Sequence, residues 1–324
     1  MRTRKIIQSF ALETAVLITV LLTCSTAGIC FAQDSSADSL SASLPPSTNF
    51  DLSKWKLSVP TDNDNNGRAD TIEEAELNRG YQNPDYFYTA DDGGMVFKVP
   101  IKGFKTSKNT SYTRSELHEM LRQGDTSIDN RTESGIPTKN NWVFSSAPAE
   151  TQKLAGAVDG VLEATLAVNY VTTTGREKHV GRVIIGQIHA KDDEPIRLYY
   201  HKRAQHERGM IYAAHEPLRK KDLYYDLIGG RESKTSPKKG FKLDEKFSYK
   251  IVAKGYKLHV TISDIDGKIR ARETIDMSRS GYDQNDDFMY FKAGAYNQNK
   301  SGRDDDYVQV TFYKLSATHD TKTP

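Results

Sequence analysis

Tyr290-Phe291-Lys292-Ala293-Gly294-Ala295-Tyr296-Asn297-Gln298 alternates two kinds of side chain, and so do Arg114-Ser115-Glu116-Leu117-His118-Glu119-Met120 and Gln187-Ile188-His189. Successive side chains of a β-strand point to opposite faces. Read as strands, the three stretches put Phe291, Ala293, Ala295, Leu117 and Ile188 on a core side. Tyr290, Lys292, Tyr296 and Gln298 then share the other side of the first stretch, Arg114, Glu116 and His118 that of the second, and Gln187 and His189 that of the third. An ordinary half-buried sheet turns inconsequential polar residues to solvent. Here the outer faces collect the groups that bind a carboxylate and move a proton near neutral pH.

The surrounding sequence supports an all-β chain. Alternating runs recur between turn signals, with the strongest strands expected over residues 161–170, 180–189, 256–262, 288–296 and 307–315. Asp266-Gly267 is a hairpin signal between the run ending at Ile262 and the one from Lys268 to Ile275. Two stacked antiparallel sheets are the expected architecture. Residues 191–217 and 223–240 are polar and rich in Gly and Lys, and read as segments with long loops at a cleft rim.

The three stretches together resemble the signatures of polysaccharide lyase family 7, the alginate lyases: R-[ST]-E-L-R, Q-I-H or Q-V-H, and Y-F-K-A-G-x-Y-x-Q. The second and third match completely and in order, and the likeness runs from about Phe50 to about Ser316. His118 departs from the first, standing where the family has its second Arg. The resemblance implies a β-jelly roll whose concave face forms an open substrate cleft, and cleavage of alginate by β-elimination. It implies catalytic roles for Arg114 (carboxylate neutralisation), Gln187 (amide donor), His189 (carboxylate binding or base) and Tyr296 (proton donor to O4). A cationic site would also lower the Tyr296 phenol's pKa enough for it to serve as base. Glu116, His118, Tyr290, Lys292 and Gln298 are expected to line the substrate site. Ile188, in place of Val, is associated in the family with guluronate-containing blocks.

Met1-Arg2-Thr3-Arg4-Lys5, an apolar stretch around residues 15–22 and small residues up to Ala32 follow the order of a secretory signal peptide, expected over 1–32. Residues 33–48 read as a flexible linker rich in Ser, Ala and Pro, and 49–318 as one catalytic domain of roughly 270 residues. Export implies a secreted or periplasmic protein without a membrane segment after leader removal. Both cysteines, Cys24 and Cys30, lie in the leader, so a mature chain has no disulfide or thiolate chemistry. Three cations and one anion leave with it, taking the formal net charge from +2 to zero. A polyanion must then be attracted by a local basic patch, and nucleic acid is disfavoured. A monomer is the default.

No cofactor is needed for the elimination. Residues 62–73 nevertheless fit a twelve-position calcium loop, with Asp62, Asp64, Asn66, Arg68 (through its carbonyl), Asp70 and Glu73 as donors and Gly67 at the turn, so a structural Ca2+ is one reading. A metal-free Asn/Asp/Gly surface loop is the other. Two further functions compete with the alginate lyase: a noncatalytic carbohydrate-binding jelly roll and a lyase for another polyuronate. A glycoside hydrolase would need a carboxylate pair across the scissile bond, and no E-x-D-x-x-E strand is present.

Overall fold

The computed structural model describes residues 40–130 and 136–320. The expected signal peptide, and residues 33–39 of the expected linker, lie outside them. The strands are β1 (Trp55–Val59), β2 (Asp70–Ile72), β3 (Phe87–Thr89), β4 (Met95–Pro100), β5 (Arg114–Glu119), β6 (Trp142–Val143), β7 (Ala157–Tyr170), β8 (Arg182–His189), β9 (Ile196–His201), β10 (Met210–His215), β11 (Leu223–Ile228), β12 (Phe247–Lys254), β13 (Lys257–Asp264), β14 (Ile269–Asp276), β15 (Tyr290–Asn297) and β16 (Tyr307–Asp320). Helices among the described residues are single turns or little more: α1 (Pro46–Asn49), α2 (Glu74–Leu77) and α3 (Ala149–Leu154).

The strands form two antiparallel sheets, as the alternation predicts, and the fold is a β-jelly roll. The first runs β11-β10-β9-β8-β15-β5-β1-β2, and the second β14-β13-β12-β7-β16-β4-β3, with β6 making a short parallel pairing to β7. Their facing sides share one hydrophobic core: Leu57, Leu117, Ile188, Phe291 and Ala293 from the first sheet meet Phe97, Leu162, Ile251, Val260 and Phe312 from the second, all fully buried. The hairpin expected at Asp266-Gly267 joins β13 to β14, with Gly267 at φ +78°, a left-handed conformation that suits glycine.

Two expectations change. Residues 191–217 and 223–240 were expected to hold long loops, yet they contain β9, β10 and β11, which lengthen the first sheet by three strands. Alternation fails to reveal β10 because its six residues are buried on both faces. Within the expected linker, residues 40–48 make defined contacts. Leu40 packs on the core, Pro46 is buried, and the Asn49 side chain donates to the carbonyls of Ser41 and Gly93 at 2.8 and 3.2 Å.

The sheets are also joined by charge. His319 on β16 places Nε2 2.9 Å from the Glu119 carboxylate on β5, and Nδ1 2.6 Å from the Asp159 carbonyl. Both ring nitrogens face acceptors, so the imidazole is doubly protonated. Burial disfavours that cation, but Glu119 and the carbonyl outweigh it and raise the His319 pKa. A raised folded-state pKa gives stability that is complete below the unfolded value of about 6.5 and lost as pH rises through the folded one. The unfolding free-energy difference between wild type and His319→Gln should therefore shrink as pH rises above the unfolded value of about 6.5; a constant difference would contradict the assignment.

Candidate active site

The pairing brings the three stretches together. β15 lies between β5 and β8, with Tyr296 opposite Arg114, Lys292 opposite His118 on one side and Gln187 on the other, and Tyr290 opposite His189. Close approach of the strands requires Gly294: its φ is +144°, and a Cβ there would come within 2.7 Å of the Ser115 carbonyl and 2.8 Å of Glu116 Cα. The backbone register slips beside it, between Ala293 and Tyr296, where β15 meets β8.

Glu116 is the hub. Its side chain is 1% exposed and receives Arg114 Nη1 at 3.0 Å, Lys292 Nζ at 2.5 Å and the Gln187 amide at 2.5 Å. Burial alone would raise its pKa, but Lys292 and Arg114 pull it below the usual carboxylate range. With two cations on one carboxylate, the cluster carries net positive charge. Burial and the neighbouring Arg114, opposed by Glu116, push Lys292 down to about 8. Glu116 therefore acts on substrate through the groups it holds.

Arg114 also stacks over the Tyr296 ring, 3.7 Å from guanidinium carbon to centroid, and the Tyr112 ring meets Tyr296 edge-on at 6.2 Å. The phenol was expected to be acidified by its cationic surroundings. Burial instead outweighs Arg114 and raises its pKa, which keeps Tyr296 protonated at neutral pH.

His189 is the complement. Burial and Lys292 lower its pKa against the opposing pull of Glu194, leaving it neutral. Nδ1 lies against the Ala190 carbonyl, which fixes the proton there and leaves the Nε2 lone pair available. Nε2 is 3.5 Å from the Glu194 carboxylate, placed to steady an imidazolium.

Tyr290 is stacked between two imidazoles, His118 at 3.9 Å and His189 at 5.1 Å. His118 is held neutral by burial and by Lys56 and Lys292, so it does not supply the charge of the Arg it replaces. Lys56, directly opposite on β1, brings a cation to that place. Gln298 is buried at the strand end, where its carbonyl accepts from Arg182 Nη2 at 3.0 Å.

Lys56 and Glu194 are absent from the residues expected at the site. Strand parity in Trp55–Val59 would have placed Lys56 on the outer face. Glu194 has no such signal: it sits in the turn between β8 and β9, within a segment read as loop.

The candidate calcium loop leads into the edge strand β2, apart from these residues in the sheet order. Carboxylate oxygens of Asp62, Asp64 and Asp70 lie within 4.8 Å of one another. Asp62 accepts from the backbone N–H groups of Asn66 and Gly67, and Asp70 from Thr61 and Asn63. The Asn66 side-chain amide donates to Asp64, and the Arg68 N–H donates to the Asn66 side-chain oxygen. Glu73, expected as the twelfth-position ligand, pairs with Arg122 at 3.1 Å.

With this geometry, the chain's similarities have a structural meaning. The alginate lyase family profile matches residues 50–319. An alginate lyase of Klebsiella pneumoniae is 55% identical over 289 residues, covering 86% of this chain and 92% of that protein. A crystal structure of alginate lyase from the same organism superposes with a TM-score of 0.82 at 54% identity, covering 85% of this chain and 99% of that one. The alginate lyase PA1167 of Pseudomonas aeruginosa gives a TM-score of 0.60 at 27% identity, covering 83% and 99%. The chain belongs to the alginate lyases, polysaccharide lyase family 7.

Proposed function

We propose that the protein depolymerises alginate by β-elimination, with a preference for guluronate-containing blocks. The observation that carries the reading is the pairing of an unprotonated His189 with a protonated Tyr296 on either side of the Arg114–Glu116–Lys292 cluster. Elimination needs a base and an acid already in those states.

Arg114, with the remaining Gln187 amide hydrogen beside it, neutralises the uronate carboxylate and so acidifies the C5 proton. His189 Nε2 removes that proton. The electron pair forms the C4–C5 double bond as the C4–O4 bond breaks, and the Tyr296 hydroxyl protonates the departing O4. The products are a new chain end and a 4,5-unsaturated uronate. Glu194 stabilises the imidazolium until it returns its proton to water. The guluronate preference rests on His189 as the available base and on Ile188 in the middle of the motif. The order of charged, apolar and small residues over 1–32 supports export to the periplasm or medium.

Ultraviolet absorbance during incubation with polyguluronate and polymannuronate tests this. A rise on both, faster on polyguluronate and absent in Tyr296→Phe, is expected; flat traces with binding retained would make the protein a binding module or a lyase for another polyuronate. The acidic limb of kcat/KM should fall below the ordinary imidazole value of about 6.5, because His189 is depressed. A limb at or above that value would contradict His189 as the base.

A further inference from the structure

Among the described residues, three arginine side chains are under a tenth exposed and ion-paired, and they differ in their partners. Arg114 faces Glu116, 1% exposed, and Arg122 faces Glu74, 3% exposed. Arg203, 9% exposed, donates to the Arg231 carbonyl at 3.1 Å, and its carboxylate partners are Glu177 at 3.4 Å and Glu232 at 3.8 Å, which are 69% and 73% exposed. A desolvated cation whose counter-charges are both in water is under-compensated. Arg203 lines a cavity of about 160 Å³ together with Lys178, Arg182, Arg231 and Tyr212. Four cations there meet one lining carboxylate, Glu232, which is held by Arg231 at 2.6 Å, with Glu177 on the flank.

The cavity continues the catalytic face. Tyr296 pairs with Ile184, Ile184 with Tyr199 and Tyr199 with Tyr212, a row across four strands. Side chains of that row form an apolar cluster on the outer face of the sheet, with Tyr296 packed against it. From Tyr296 to Tyr212 the row spans three strand spacings, roughly 14 Å. Arg182, two residues before Ile184 on the same face, links the cavity to the end of the motif strand through the Gln298 carbonyl. The Arg231 guanidinium is held 3.9 Å over the Tyr224 ring, which fixes its position at the cavity mouth.

We infer that this pocket binds a carboxylate of the same polyuronate several sugar units from the scissile bond. The inference rests on the function proposed above. A pocket of this size with an excess of cations takes a carboxylate and the edge of its ring, and regular spacing of carboxylates along the polymer brings one to it whenever the chain lies along the row. His201, at 2% exposure beside Arg182 in the sheet, also lines the cavity and donates from Nε2 to the Val180 carbonyl; burial and the neighbouring Arg182 and Arg203 push its pKa down to about 3, so it stays neutral.

The test uses the double variant Lys178→Ala/Arg231→Ala, which leaves the catalytic cluster intact. On long alginate its kcat/KM should fall about tenfold through KM, as expected for lost charged hydrogen bonds, with kcat unchanged and turnover of tri- and tetrasaccharides unaffected. Unchanged kinetics on the polymer, or an equal loss at every length, would overturn the inference. Binding is measured separately on a Tyr296→Phe background, by calorimetry with long unsaturated-end-free alginate oligosaccharide and with inorganic phosphate. Weaker oligosaccharide binding in the double variant supports the pocket even if wild type releases no unsaturated product, an outcome that would sink the proposed reaction alone. Phosphate binding lost in the variant, with oligosaccharide binding unchanged, would assign the pocket to a small free anion and overturn the inference.

Discussion

One buried carboxylate organises the site. Glu116 is enclosed between strands, and its charge is tolerable only because Arg114, Lys292 and Gln187 converge on it from its own and the two following strands in the sheet order. A buried ion is costly unless paired and hydrogen-bonded. That constraint turns three independent stretches into one rigid constellation. The same cluster supplies the positive field that disfavours protonation of His189, while burial keeps the Tyr296 proton in place. Base and acid are thus set apart by position within one sheet, His189 near one end of β15 and Tyr296 near the other.

The rest of the fold serves this arrangement. The core beneath the sheet is apolar and continuous with the second sheet, so the strands carrying the site are supported from below. Cross-sheet pairing of His319 with Glu119, at the end of β5, adds a polar tie whose Glu119 also accepts the Phe291 N–H on β15. Stacking of His118, Tyr290 and His189 locks three adjacent strands together on the outer face. His118 thereby exchanges the charge of an Arg for aromatic packing, and Lys56 brings the cation back from the neighbouring strand.

Much of this was legible in the sequence because strand parity is a strict rule. Parity placed Arg114, Glu116, Gln187, His189, Lys292 and Tyr296 on outer faces, and the family motifs made their adjacency an expectation. What alternation cannot convey is burial on both faces: β9 and β10 carry a second apolar layer of Tyr199, Met210 and Tyr212, so they lack the alternating signature that marks a strand. Glu194 and the Arg203 pocket lie in or beside those strands and were hidden with them. The direction of the Tyr296 shift was equally out of reach, since it depends on how far burial outweighs a cation whose distance no sequence states.

The most direct measurement is lyase turnover by Glu116→Gln, an isosteric change that removes the hub's charge. The account predicts a loss in kcat of about a hundredfold or more, the scale of a misplaced catalytic group, in a protein whose circular dichroism still reports the folded sheets. Near-wild-type turnover in that variant would contradict the claim that Glu116 holds the site together.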